Sequence, residues 1–343
     1  MTSIELQAPS AGGSEEPEGQ SLLSSNVLVH IGMHKTGSSW LQENLFGRDD
    51  TSFWSPGDIA MPAKKRVKAH TRALFVDDLD RLLPDEDFNP ADLREQLEPL
   101  VVPTGRRAVF SSERLSGHPL SNGIDRGQIC KRIKQVFPNA RILVIIREQR
   151  SMILSNYMQC LKSGGGYALR GFINGGWAAK KGSALTFHYF KYDRLIRQYH
   201  SVFGPENVLA LPFEMIRDMP QDYIERICQF SGIKTPENLP FHIKANERTH
   251  YFSYIVIRRI VPLIRSSQSN AYSPAILGRK LGKSVHRRMV NGISKAVPRS
   301  LDQWAKERLQ RQIEEITKDT YVTSNRETEK LIGMDLSAFG YLV

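Results

Sequence analysis

The chain has 343 residues, 40% of them apolar, and carries 47 basic against 36 acidic side chains for a net charge of +11. That length and apolar share provide for a substantial core, so wholesale disorder is excluded. No window holds about eighteen uninterrupted apolar residues, which argues against a membrane anchor. The scattered Cys130, Cys160 and Cys228 lack metal or redox spacing, as expected for reduced thiols in a cytoplasm.

Residues 1–25 are rich in Ser, Gly, Glu and Pro, with Glu5, Glu15, Glu16 and Glu18 and no Lys or Arg. Such a segment cannot bury enough apolar surface to order itself and is expected to be a disordered acidic tail. It lacks the basic start and apolar stretch of a secretory leader. Residues 26–343 read as a single domain with insertions.

The segment 26–42 reads NVLVHIGMHKTGSSWLQ. Residues 27–31 have the make-up of a buried parallel strand. Gly32 and Gly37 flank a tight turn, and a helical pattern starts at Ser38, Ser39, Trp40 and Leu41. A strand, a Gly-containing loop and a helix N-terminus together make an anion site, and Lys35 adds a full charge inside the loop. A Walker loop places its lysine after the second glycine. Here Ser38 and Ser39 follow Gly37 and the lysine lies upstream, which argues against a nucleoside-triphosphate kinase.

Residues 47–105 read as a long insertion before the next strand, 107–112. The insertion holds Lys64, Lys65, Arg66 and Lys68 ahead of His70 and Arg72, and makes a candidate wall of an acceptor site, or else a charged surface helix. Ile129, Ile133 and Val136 share one face of a covering helix over 128–137. A second buried strand, 142–146, runs into Arg147 and a helix starting near Gln149, with Ser155 on its second turn. An arginine at a strand's C-terminal edge and a hydroxyl on the next helix can grip one phosphate from two sides. Ligands of open α/β sheets bind at that edge.

The glycine-rich stretch 164–176 reads as a mobile loop over the cleft. In 254–264 the pattern predicts a surface helix kinked or ended at Pro262. A structural stripe of Leu301, Trp304, Leu309, Ile313 and Ile316 marks a helix over 301–317. Between Arg248 and Leu301 there are eleven Lys and Arg and no Asp or Glu. Such a field concentrates anionic partners: an anionic glycan, or an anionic membrane surface in peripheral contact. Nucleic acid is disfavoured because no reading module accompanies the charge.

The runs KTGSSWL after the first strand and R-x₇-S-x-Y after the later one resemble the sulfotransferase family, whose donor is 3′-phosphoadenosine 5′-phosphosulfate (PAPS). The resemblance continues, more loosely, through 187–218 and 324–341, the latter similar to bacterial carbohydrate sulfotransferases. It implies a P-loop NTPase-like three-layer α/β sandwich with a central parallel sheet flanked by helices. The implied activity is direct transfer of a sulfo group to a hydroxyl of a carbohydrate or glycan, in a bacterial cytoplasmic enzyme and without a metal. The 5′-phosphosulfate loop maps onto Lys35, Thr36, Gly37, Ser38, Ser39 and Trp40. The 3′-phosphate pair maps onto Arg147 and Ser155, with Tyr157 completing the motif. Glu148 and Gln149 stand where many members carry proline.

The family places its base just after the second central strand, which nominates Glu113, with His118 as the alternative. His34 and His70 become candidates for contact with the acceptor or transferring group, Arg114 for an anionic acceptor, and Arg248 for a further nucleotide contact. Segments 164–186 and 244–300 become candidate covers of the two substrates. Two rivals stand beside this reading: a phosphoryl transferase on the same fold, and a catalytically silent nucleotide- or glycan-binding protein.

Overall fold

After Arg141, every residue to Ile146 is apolar, and all are buried on the two faces of one sheet. The computed structural model describes residues 18–56, 75, 82–117, 119, 122–173, 185–240, 250–264, 277 and 279–343. Strands β1 (Gly19–Ser21) and β4 (Val101–Pro103) form a small antiparallel ribbon. The main sheet has the order β3 (Phe53–Trp54), β5 (Arg107–Ser111), β2 (Leu28–His30), β6 (Arg141–Ile146), β7 (Val208–Pro212). Every pairing in it is parallel. Ladder bonds continue past β2, from Ile31 N–H to the Leu143 carbonyl at 2.9 Å and from Met33 N–H to that of Ile145 at 3.5 Å.

Strand alternation sorts the core into two layers. Val29, Ile142, Val144, Ile146 and Phe110 face one way. There they meet α3 (Arg126–Val136), α4 (Gln149–Lys162), α5 (Tyr192–Phe203) and α9 (Arg299–Thr317). Leu28, Val109, Leu143, Ile145 and Leu211 face the other way, onto α1 (Ser38–Asn44) and α6 (Pro220–Ser231). Each such side chain contributes roughly 1.5–3 kcal/mol by leaving water. The result is a three-layer α/β sandwich with a central parallel sheet. Helices α2 (Pro90–Leu97), α7 (Tyr251–Ile257), α8 (Arg279–Ala296) and α10 (Val322–Ile332) complete the longer elements. Among the described residues no helix is long and apolar enough to cross a membrane.

Several expectations are corrected. The tail does not extend to residue 25: β1 pairs with β4, and Leu22 is wholly buried in the main core. Residues 1–17 lie outside the described residues. The insertion 47–105 contributes β3 to the sheet edge, paired with β5. Residues 164–173 are no mobile loop, because the turn Leu169–Ile173 is helical and buries Leu169, Phe172 and Ile173; 174–184 lie outside the described residues.

Pro262 does not end a helix but sits near the start of the single turn Val261–Ile264, after the chain has left α7. On α9 the buried apolar residues are Ala305, Leu309 and Ile313, spaced by four, whereas Trp304 is 44% exposed beneath the Arg308 guanidinium.

Candidate active site

The C-terminal ends of β2, β5, β6 and β7 lie at one edge of the sheet, and each runs into a segment that lines one cleft of about 780 Å³. From β2 come Lys35, Gly37, Ser38, Ser39 and Trp40; from β5, Glu113; from β6, Arg147; from β7, Phe213. The site is therefore set by the sheet register.

The loop after β2 is shaped by two glycines. At Gly32 a Cβ would lie 2.4 Å from His30 Nε2 and 2.5 Å from Ser38 Oγ, so the strand end and helix start meet there only without a side chain. Gly37 holds φ 76°, and a Cβ would stand 2.7 Å from the Phe213 ring. Lys35 also adopts a left-handed backbone, at φ 70°. Thr36 is buried behind the turn and donates its hydroxyl to the Met33 carbonyl at 2.5 Å, so it shapes the loop without lining the cleft.

A buried polar cluster fixes this loop to the sheet. The Gln42 amide donates to Ser111 Oγ at 3.0 Å, and Ser111 Oγ lies 2.7 Å from His30 Nδ1. Burial holds the His30 imidazole at a pKa of about 4, with Glu113 opposing the shift, so the ring is neutral at ordinary pH.

Arg147 is held from several sides. Its guanidinium donates to the Lys35 carbonyl at 2.9 Å and lies 5.1 Å over the Phe213 ring. The Tyr192 hydroxyl donates to the Arg147 carbonyl at 2.6 Å. Glu148 caps α4: its carboxylate accepts from the N–H groups of Arg150 and Ser151 at 2.8 and 2.7 Å. The buried Glu214 carboxylate accepts from Glu148 N–H at 3.1 Å and from the Tyr341 hydroxyl at 3.3 Å, and burial raises its pKa. Helix α4 then presents Ser151, Ser155, Gln159 and Lys162 to the cleft along one face.

Electrostatically the cleft gathers cations. Lys35 has its pKa lowered, first by desolvation and then by Lys162 and Arg147, while Glu113 raises it. Ser38 Oγ, buried at the start of α1, and the Trp40 indole N–H have no hydrogen-bond partner among the described residues. A buried donor left so is costly unless a ligand completes it. Converging cations and an unsatisfied hydroxyl fit a phosphate- or sulfate-bearing donor.

Of the residues read from the sequence, Lys35, Gly37, Ser38, Ser39, Trp40, Glu113, Arg147 and Ser155 thus meet in one cleft. His34 is half-buried in the loop and is not among the residues lining it. Arg114 is buried, ion-paired with Asp125, and is not among the residues lining the cleft. Tyr157 faces away, donating its hydroxyl to the Tyr167 carbonyl at 3.0 Å. His70, His118 and Arg248 lie outside the described residues.

Sequence reasoning missed Lys162, Phe213, Tyr251 and the α9 pair Lys306 and Gln310, all of which line the cleft. Lys162 had a signal, since it lies seven residues past Ser155 on the same helix and therefore on the same face.

No curated protein matches the sequence. Among solved structures, a sulfotransferase from Alicyclobacillus acidocaldarius aligns at 16% identity and a TM-score of 0.47, over 77% of this chain and 100% of the other. The sulfotransferase domain from the curacin biosynthetic pathway aligns at 14% and 0.37, over 79% and 98%. That of the Synechococcus PCC 7002 olefin synthase aligns at 14% and 0.36, over 82% and 100%. Residues 127–237, which supply Arg147, Ser155, Lys162 and Phe213 to the cleft, match the model of the sulfotransferase family.

Proposed function

We propose that this chain moves the sulfo group of PAPS directly onto a hydroxyl of a carbohydrate acceptor. The observation that carries the reading is the meeting, in one cleft, of Lys35, Ser38, Arg147 and Ser155 with Glu113. When bound, PAPS supplies an activated sulfo group and a phosphate leaving group.

The residues divide the work by position. Lys35 and the start of α1 neutralise charge growing on the leaving phosphate. Ser38 Oγ, unsatisfied among the described residues, donates to the 5′ end of the nucleotide, with Ser39 beside it. Arg147 and Ser155 hold the 3′-phosphate, so the nucleotide is fixed at both ends. Arg147 is suited to this role because Phe213, the Lys35 carbonyl and Tyr192 already orient it. Glu113, at the end of β5, accepts the proton of the acceptor hydroxyl.

Incubation with ³⁵S-labelled PAPS and fractionated glycans tests the reading. Label in the glycan, with one adenosine 3′,5′-bisphosphate (PAP) released per sulfo group transferred, is expected. Glycan labelled only from γ-³²P-ATP would replace it with phosphoryl transfer. Binding of PAP with no transfer to any glycan would leave a silent nucleotide-binding protein.

A further inference from the structure

Beside the donor cleft lies a second pocket, of about 260 Å³, lined by Lys162 of α4, Tyr254 of α7, and Lys283, Ser284, Arg287 and Val290 of α8. His286 joins them, its ring edge-on to Tyr254 at 5.9 Å. We propose that this pocket is an anion subsite for the acceptor, and hence that the acceptor is an acidic glycan carrying a carboxylate or a sulfate ester. The inference deepens the sulfo-transfer reading and rests on it.

Three observations converge. First, Lys283 and Arg287 stand four apart on one face of α8, where like charges weaken a helix. The helix has no acid anywhere along its length to offset them. Second, among the described residues no carboxylate forms an ion pair with Lys162, Lys283 or Arg287, although carboxylates are engaged by arginines elsewhere. Third, Lys162 lines both this pocket and the donor cleft. A ligand seated on Lys283 and Arg287 therefore borders the donor cleft at Lys162.

The chemistry selects an anionic saccharide rather than a second nucleotide. The pocket is small beside the 780 Å³ cleft. Besides its cations it offers the Ser284 hydroxyl and the Tyr254 ring, groups that hydrogen-bond and pack against a sugar. Lys283 and Arg287 are exposed, so they contribute as charged hydrogen-bond donors to an arriving oxyanion rather than as core residues.

Calorimetry on the full chain tests this, with PAP present and three oligosaccharides of equal length: an oligogalacturonate, a sulfated galactan and a neutral dextran. The wild type is expected to bind at least one acidic probe about tenfold or more tightly than the neutral one, and the two acidic arms separate carboxylate from sulfate. Lys283→Ser with Arg287→Ser should weaken that acidic probe by about 10- to 100-fold or more, the worth of at least one charged hydrogen bond, while Lys283→Arg retains it. Both positions are exposed, and an unchanged melting temperature verifies folding.

Equal affinity for neutral and acidic probes, no binding of any probe, or an unchanged acidic affinity in the double variant overturns the proposal. A fall in PAP affinity without loss of the acidic probe does so too, by assigning the pocket to the donor. If the wild type binds acidic glycan but not PAP, the sulfo-transfer reading fails while the anion site stands.

Discussion

Lys35 is the residue on which loop shape and chemistry meet. A left-handed backbone at a lysine costs about 1–3 kcal/mol and persists only where its surroundings enforce it; here the Arg147 guanidinium fastens its carbonyl. The lowered pKa has the same origin as the function, since desolvation and two neighbouring cations disfavour a charge that an anionic donor would welcome. Lys35→Ala is expected to lower kcat by about 10²–10³, or roughly 2.7–4 kcal/mol, with a smaller change in the Kd for PAP. Unchanged kcat with weaker PAP binding would reduce Lys35 to a binding residue. Because its pKa in the free protein lies below the ordinary lysine value, wild-type kcat/KM should decline with rising pH earlier than an ordinary lysine would dictate, and Lys35→Arg should remove that limb. Glu113→Gln, which preserves size but cannot take a proton, should slow transfer about 10²–10⁴-fold with PAP affinity intact. It should also abolish the fall in rate at acid pH. Full activity in Glu113→Gln would exclude Glu113 as the base.

At the scale of elements, β2, its loop and α1 were legible because a buried strand, two glycines and a helix start all point to one arrangement. The same holds for β6, Arg147 and α4, whose start at Gln149 agrees with the reading. What escaped is what only tertiary pairing decides. Phe53–Trp54 is too short to show a period and becomes a strand because β5 lies beside it. Lys306 and Gln310 lie on the polar side of α9, and nothing local says that this side faces a cleft. Trp304 reads as core by type, yet the burial stripe spaced by four passes it by. The pairing of β6's end with the α4 face yields its own expectation. Arg147→Ala with Ser155→Ala should weaken PAP while sparing adenosine 5′-phosphosulfate, which lacks the 3′-phosphate. Calorimetry with both ligands decides, and equal losses would put the 3′-phosphate elsewhere.

For the whole molecule, the junction of sheet and site makes stability depend on pH through one buried ring. His30 sits at the end of the central strand, fully buried, bonded to Ser111 of β5, which in turn is bonded to Gln42 of α1. Unfolded, its imidazole takes a proton near pH 6.5; folded, only near pH 4. Between these values the unfolded chain holds more protons, so stability is complete above about 6.5 and falls as the pH drops toward 4. At about 1.36 kcal/mol per pH unit, the loss across the window is about 3 kcal/mol. The raised pKa of Glu214 acts with the opposite sign, since the folded chain then retains a proton that the unfolded one releases. The informative quantity is therefore a difference between two proteins. His30→Asn keeps a polar group near Ser111 but cannot titrate. Urea unfolding from pH 7 to 4.5 should show the wild type losing stability more steeply than the variant, with their curves drawing together at acid pH. Parallel curves would mean that His30 is protonated equally in both states, and that the cluster beneath the cleft does not depend on its neutrality.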